Sequence, residues 1–310
     1  MHKVPKCSCQ ILASVQRSAP MQNVSKFHFI HSAAAALVAT ACASSPAPSI
    51  KSPEPTNNAV DSKLAAVLVG KQRPAEETAR DVYRHPRETL EFFGIREDMK
   101  VVELSAGRGW YTAILAPLLS EKGSLTVTGA DPNGPADSEG TKNAKAFAER
   151  LSQDPASFGK VTSLVVDWKK PDVSLGPDAS ADMVVTFRNW HGWESNGLIG
   201  NVLAASFRVL KSGGILGVEE HRAKADAAGT DPKVIGDTGY VPEALVVSEA
   251  EKAGFKLVGK SEINANPKDT KDHPKGVWTL PPTLRLGDVD RDKYVAIGES
   301  DRMTLKFVKP

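Results

Sequence analysis

The stretch Val101 to Gly109, VVELSAGRG, joins an acid to two glycines at the end of an apolar run. Gly107 and Gly109 permit a tight turn and let a ligand approach the backbone, where the N–H groups opening a following helix would face it. Glu103 lies in an otherwise apolar segment, and a buried carboxylate there needs a partner, either a ligand amine or the loop N–H groups. A dinucleotide fingerprint would want a third glycine where Thr112 stands, which disfavours a nicotinamide oxidoreductase. Further along, Arg188-Asn189-Trp190-His191-Gly192-Trp193 is the most polar-aromatic stretch in the chain, and Glu219-Glu220-His221-Arg222 is a second polar group. His191 or His221 could accept a proton from an O, N or S nucleophile, since imidazole titrates near neutrality. Asp131 opens Asp-Pro-Asn-Gly, also the composition of an ordinary turn, and Asp167 precedes Trp168. His85 and His273 each precede a proline and read as loop-fixing residues. His191, His221 and His273 lack local metal-ligand spacing and have no cysteine beside them, so no metal site is expected. The absence of a G-x-S-x-G elbow argues against a serine hydrolase.

Alternating strands and helices must position these residues. Short apolar strands are expected at Lys100–Leu104, Ser124–Gly129, Val161–Val166, Asp182–Phe187, Gly214–Glu219, Phe255–Ile263 and Arg302–Val308. Helical spacing runs over Pro74–Tyr83, Pro86–Phe93, Trp110–Leu119, Thr141–Leu151, Leu198–Leu210 and Pro242–Ala253, with Lys211-Ser212-Gly213-Gly214 as a C-cap and turn. This order predicts an α/β, doubly wound, Rossmann-like sheet with helices on both faces, whose ligands bind beyond the carboxyl ends of the strands. The segment Asn264–Asp301, between the last two strands, is too long for a turn; its polar and aromatic content predicts an ordered lid.

Composition divides the chain unevenly. Of 39 basic residues, Lys3, Lys6, Arg17 and Lys26 lie in 1–41, which holds no acid; from residue 42 onward 35 basic residues face 37 acids. That body has no basic footprint for nucleic acid. The three cysteines are Cys7, Cys9 and Cys42. Lys26 followed by an apolar run from Phe27 to Ala41 has the layout of a signal peptide and is too short for a comfortable membrane span. Val38-Ala39-Thr40-Ala41-Cys42 resembles a bacterial lipobox, which implies lipidation of Cys42; an ordinary cleaved signal peptide is the alternative. Translation starting at Met21 would put the cysteine at a usual distance, making 1–20 a mis-assigned start. Residues 42–61 read as a lipidated cysteine with a Pro- and Ser-rich tether, and 62–310 as the folded domain. The expected location is a periplasm-facing membrane anchor in the outer membrane, or a soluble periplasmic protein.

Glu103 to Gly109 resembles motif I of class I S-adenosylmethionine-dependent methyltransferases, acid-x-G-x-G-x-G, with Ser105 in place of the first glycine. RHPRETLEFFG, ELSAGRGWYT, FRNWHGW, GVEEHRA, KDHPKGVWTLPP and GESDRMTLKFVKP resemble more narrowly a bacterial family of exported methyltransferases. The resemblance implies a seven-stranded sheet of six parallel strands and one antiparallel terminal strand. It implies S-adenosyl-L-methionine as cofactor, held by Glu103, Ser105, Gly107, Gly109, Asp131 at the ribose, Asp167 near the adenine, and Arg188 and Asn189 beside the transferred methyl. The expected activity is methyl transfer to a small-molecule acceptor. An exported protein sits apart from the cytoplasmic cofactor supply, so the alternative is a non-catalytic small-ligand-binding lipoprotein that keeps the fold.

Overall fold

The computed structural model describes residues 58–225, 227 and 231–310; the leader and Cys42 lie outside the described residues. Seven runs rich in valine, leucine and threonine form one sheet: β1 (Lys100–Leu104), β2 (Ser124–Gly129), β3 (Val161–Val165), β4 (Ala181–Phe187), β5 (Leu210–His221), β6 (Lys256–Ser261) and β7 (Arg302–Val308). Their spatial order is β3-β2-β1-β4-β5-β7-β6, and β7 runs antiparallel to both its neighbours while the other ladders are parallel. Successive strand residues point to opposite faces. Val102 and Leu104 therefore join the core under the helices Ile199–Val209 and Glu243–Lys252, whereas Val101 joins the core under Pro86–Phe93 and Thr112–Leu119. Two apolar layers thus sandwich the sheet.

From β1 the chain steps outward to β2 and β3, then returns to β4 and steps the other way to β5. The loops leaving β1 and β4 consequently diverge, and a crevice opens at their carboxyl ends, the usual ligand position in such sheets. Both loops begin with a non-glycine residue in the left-handed region, Ser105 at φ 48° and Arg188 at φ 60°. Such residues are uncommon and cluster where a site constrains the backbone.

Several elements differ from the sequence expectation. Pro74–Tyr83 is two short helices, Ala75–Thr78 and Asp81–Arg84, whose junction brings Arg80 onto Glu299. Trp110 and Tyr111 precede the helix Thr112–Leu119, because Tyr111 is buried in a stack on Phe187. Lys211–Gly214 is an excursion within β5 rather than a turn before it: Ala181 pairs with Leu210 and Met183 with Ile215. Trp190–Ser195, within the polar-aromatic stretch where no helix is expected, is a helix with Trp190 and Trp193 in the core.

The Asn264–Asp301 insert is ordered, with a 3₁₀ turn at Gly276–Thr279 and a helix at Arg291–Ile297. Buried Asp269 ties it together, accepting from the Tyr240 hydroxyl at 2.8 Å and the Asp301 N–H at 2.8 Å and contacting His273 Nε2 at 2.9 Å. Gly276 permits its close approach to the body, since a Cβ there would lie 2.0 Å from the Thr238 carbonyl oxygen. Among the described residues no helix is long and apolar enough to cross a membrane.

Candidate active site

The loop after β1 is bound to β2 by its backbone. Ser105 N–H donates to Thr128 Oγ1 at 2.8 Å and Ala106 N–H to the Thr128 carbonyl at 3.2 Å. Ser105 keeps the left-handed backbone that a glycine would adopt, so the substitution preserves the turn. Gly107 and Gly109 are left-handed too, at φ 61° and 82°, but for different reasons. A Cβ on Gly109 would fall 2.6 Å from the Phe147 ring, whereas one on Gly107 would meet nothing within 4 Å. Gly109 serves packing; Gly107 leaves open space.

That space belongs to a cavity of about 560 Å³, a size that suits a small molecule or cofactor. Ser105, Gly107, Gly129, Ala130, Pro132 and Asn189 line its polar end, and Phe147, Leu151 and Phe158 line its apolar flank. Asn189 spans the crevice, donating from Nδ2 to the Leu104 carbonyl at 3.0 Å and to Thr186 Oγ1 at 3.1 Å. Asp131 stands exposed between two lining residues, with Oδ1 accepting from Asn133 N–H as in an Asx turn. Asp167 also makes an Asx turn, to Lys169 N–H, and does not line the cavity; Trp168 packs on Trp193 in the core.

Glu103 is fully enclosed beside this loop, and its partner is neither of those expected, a ligand amine or the loop N–H groups, but the Thr112 hydroxyl, which donates to Oε2 at 2.6 Å. Thr112 thus occupies the third-glycine position with a structural purpose. Burial pushes the Glu103 carboxyl up to about 7, while the Thr112 bond and the charges of Arg150 and Arg188 pull the other way. The folded protein therefore holds this proton at pH values where an unfolded chain, titrating near 4.5, has lost it. Stability from this group is greatest below pH 4.5 and declines by about 3 kcal/mol as pH rises to 7. Glu103→Gln should flatten that limb of a urea-denaturation pH series. An unchanged slope would exclude Glu103 as its source.

Arg188 and Asn189 are neighbours in sequence but serve opposite sides. Arg188 turns from the cavity and donates from Nη1 to both oxygens of Glu219 at 3.0 Å. Arg302 Nε lies 3.2 Å from the same carboxylate, and the Tyr111 hydroxyl donates to it at 3.4 Å. A second buried acid, Glu299, takes Arg80, Arg84 and Arg302 at 2.6, 3.0 and 3.0 Å. Burial and then the Arg188 charge lower the Arg84 guanidinium to about 9, against the raising effect of Glu299.

His191 and His221 come together, with ring centroids 5.5 Å apart. Glu220, adjacent to Glu219 and so on the other face of β5, is fully buried between them; its Oε1 lies 3.1 Å from His191 Nδ1 and accepts the His221 backbone N–H at 2.8 Å. His221 Nδ1 lies 2.6 Å from Ser300 Oγ, and Trp278 of the insert packs edge-on against His191. Burial, then the charges of His191, Arg302, Arg188 and Arg84, hold His221 well below the usual imidazole range. His273 is elsewhere, on Asp269 and Tyr294, in the loop-fixing position expected of it. Sequence reasoning did not single out Glu220; only strand alternation with both faces covered could have marked it.

No protein-family model matches the sequence, and no curated protein matches it. Solved structures share the fold. The [4+2]-cyclase SpnF is 16% identical with a TM-score of 0.52, over 78% of this chain and 86% of that one. A protein assigned as a sarcosine dimethylglycine methyltransferase, from Galdieria sulphuraria, is 15% identical with a TM-score of 0.50, over 76% and 86%. A SAM-dependent methyltransferase from Aquifex aeolicus is 17% identical with a TM-score of 0.49, over 81% and 98%. The fold is therefore the Rossmann-like one of the first two.

Proposed function

We propose that the chain is an S-adenosylmethionine-dependent methyltransferase acting on a small molecule. The observation that carries this reading is the cavity at the divergence of the β1 and β4 loops, lined by Ser105 and Asn189 and open at Gly107. The residues fit the cofactor: the space a Gly107 Cβ would fill is vacant, and the flank of Phe147, Leu151 and Phe158 suits a purine. When bound, S-adenosylmethionine supplies an electrophilic sulfonium methyl.

The chain's own residues then do four things. The 105–109 loop and Asn189 fix the backbone on both sides of the crevice, so that positioning supplies much of the rate. Arg188, locked on Glu219, holds the start of the β4 loop. His191 and His221, which lie outside the cavity's lining, would flank the acceptor, and Glu220 fixes the His191 ring through Nδ1, leaving Nε2 to receive the acceptor's proton. Trp278 of the ordered insert packs edge-on against His191 and shields that ring.

The protein's placement belongs to the same proposal: an exported chain, lipid-anchored through Cys42 and facing the periplasm. The alternative, a ligand-binding lipoprotein without turnover, draws support from the [4+2]-cyclase, since the fold also occurs in a protein named for other chemistry. Incubating the full chain with methyl-labelled S-adenosylmethionine and fractionated small molecules separates the two. Label passing to a small-molecule fraction supports methyl transfer; binding of the cofactor without label transfer supports the alternative.

A further inference from the structure

We propose that His191, Glu220 and His221 form a binding site for a divalent transition-metal ion of the zinc class. Each offers a donor atom, and the three donors lie within 4.8 Å of one another. His191 Nδ1 and Glu220 Oε1 are 3.1 Å apart, close to the ~3.3 Å edge of a tetrahedral site with ~2.0 Å bonds. An ion can therefore take the place of the proton these atoms share, which moves to His191 Nε2, without moving either residue far. The second imidazole is pre-oriented as metal-bound histidines usually are, by a hydrogen-bond partner on its other nitrogen. For His221 that partner is Ser300 Oγ at 2.6 Å, which leaves Nε2 as the ligand atom.

Charge balance favours a cation here. Glu219 is compensated by Arg188 and Arg302, and Glu299 by Arg80, Arg84 and Arg302. Glu220 is equally buried, yet among the described residues no guanidinium or ammonium reaches it; its partners there are one imidazole and two backbone N–H groups. The arginines that would repel an ion at His221 are already engaged with the other two carboxylates. Two imidazoles and a carboxylate suit a borderline ion and offer little to magnesium, which prefers an all-oxygen shell. The three protein ligands leave room for a further one.

The site stands on these residues alone. Its catalytic meaning rests on the methyl-transfer reading: with the ion bound, His191 Nε2 carries the imidazole proton and no longer acts as base, and the acceptor's oxygen or sulfur would be that further ligand, losing its proton to solvent as the bond to the metal forms. The test is metal content after dialysis of the full chain against zinc, and separately magnesium, with zinc affinity by competition against a chelator dye. Leader cysteines and histidines contribute a background that site variants leave unchanged. The wild type should hold one zinc equivalent more than His191→Ala or His221→Ala, with no magnesium retained. Ser300→Ala should keep the equivalent but bind it about 10-fold more weakly. Equal zinc content in the wild type and both histidine variants, all folded by circular dichroism, would overturn the site. Zinc binding without any cofactor binding would refute the methyl-transfer reading and leave the metal site standing.

Discussion

Glu299→Gln is expected to cost about 3–5 kcal/mol of stability, the effect of removing one partner from a buried ionic cluster. Glu299 is the carboxylate on which Arg80, Arg84 and Arg302 converge, and Arg84 and Arg302 are themselves buried. Burial alone would raise its carboxyl; the charges of Arg84, Arg302 and Arg80 outweigh that and hold it at about 2. The amide would leave Arg84, already lowered to about 9, with the opposing charges of Arg188, Arg80 and Arg302 and without its counter-ion. The sign of the pH dependence follows. A depressed carboxyl contributes stability that is complete above pH 4.5 and lost as pH falls toward 2, whereas Glu103 loses its contribution as pH rises from 4.5 to 7. These two groups alone place the stability maximum near pH 4.5. Denaturant titration of Glu299→Gln across this range should show a lower plateau and a shallower acid limb, the remainder coming from other lowered carboxyls such as Asp301. A loss under 1 kcal/mol would mean that the cluster reorganises around the arginines.

The second large effect is on binding. Gly107→Asp should weaken S-adenosylmethionine and S-adenosylhomocysteine binding by at least 100-fold, about 3 kcal/mol, with little change in melting temperature. Aspartate is among the residues that tolerate the left-handed region, and a Cβ at this position meets no protein atom within 4 Å. The fold therefore accepts the side chain, but its carboxylate stands in the space required by the ligand. Gly109→Ala is the contrasting control: its Cβ meets the Phe147 ring at 2.6 Å, so it should lower stability before it touches affinity. If Gly107→Asp binds as the wild type does, the ligand lies elsewhere.

The sheet was legible because each strand is a short apolar run with its own boundary signals. Pro86–Phe93 matches in full, with proline at its first turn and left-handed Gly94 closing it. What escaped depends on tertiary contacts. Nothing local breaks Pro74–Tyr83; the junction is held by Arg80 on Glu299 and Arg73 on Asp81, partners set by the fold. Likewise Trp190 and Trp193 repeat at helical spacing, but the stretch is too short to declare itself a helix until the core receives both rings. At the site, Glu103 and the two glycines were visible as a motif. The division of Glu219 toward Arg188 and Glu220 toward His191 was not, because strand alternation assigns faces without saying that both are enclosed. Arg188 and Asn189, expected together beside the methyl group, part company for a related reason: Arg188 turns to Glu219, while Asn189 bridges the β1 and β4 ends at the cavity.

Calorimetric titration of the full chain with S-adenosylhomocysteine, and then with S-adenosylmethionine in competition, tests the cofactor site most directly. One saturable site per chain is predicted, shared by both ligands and lost in Gly107→Asp. A folded wild-type chain giving no heat with either ligand, and no change in melting temperature in their presence, would contradict it.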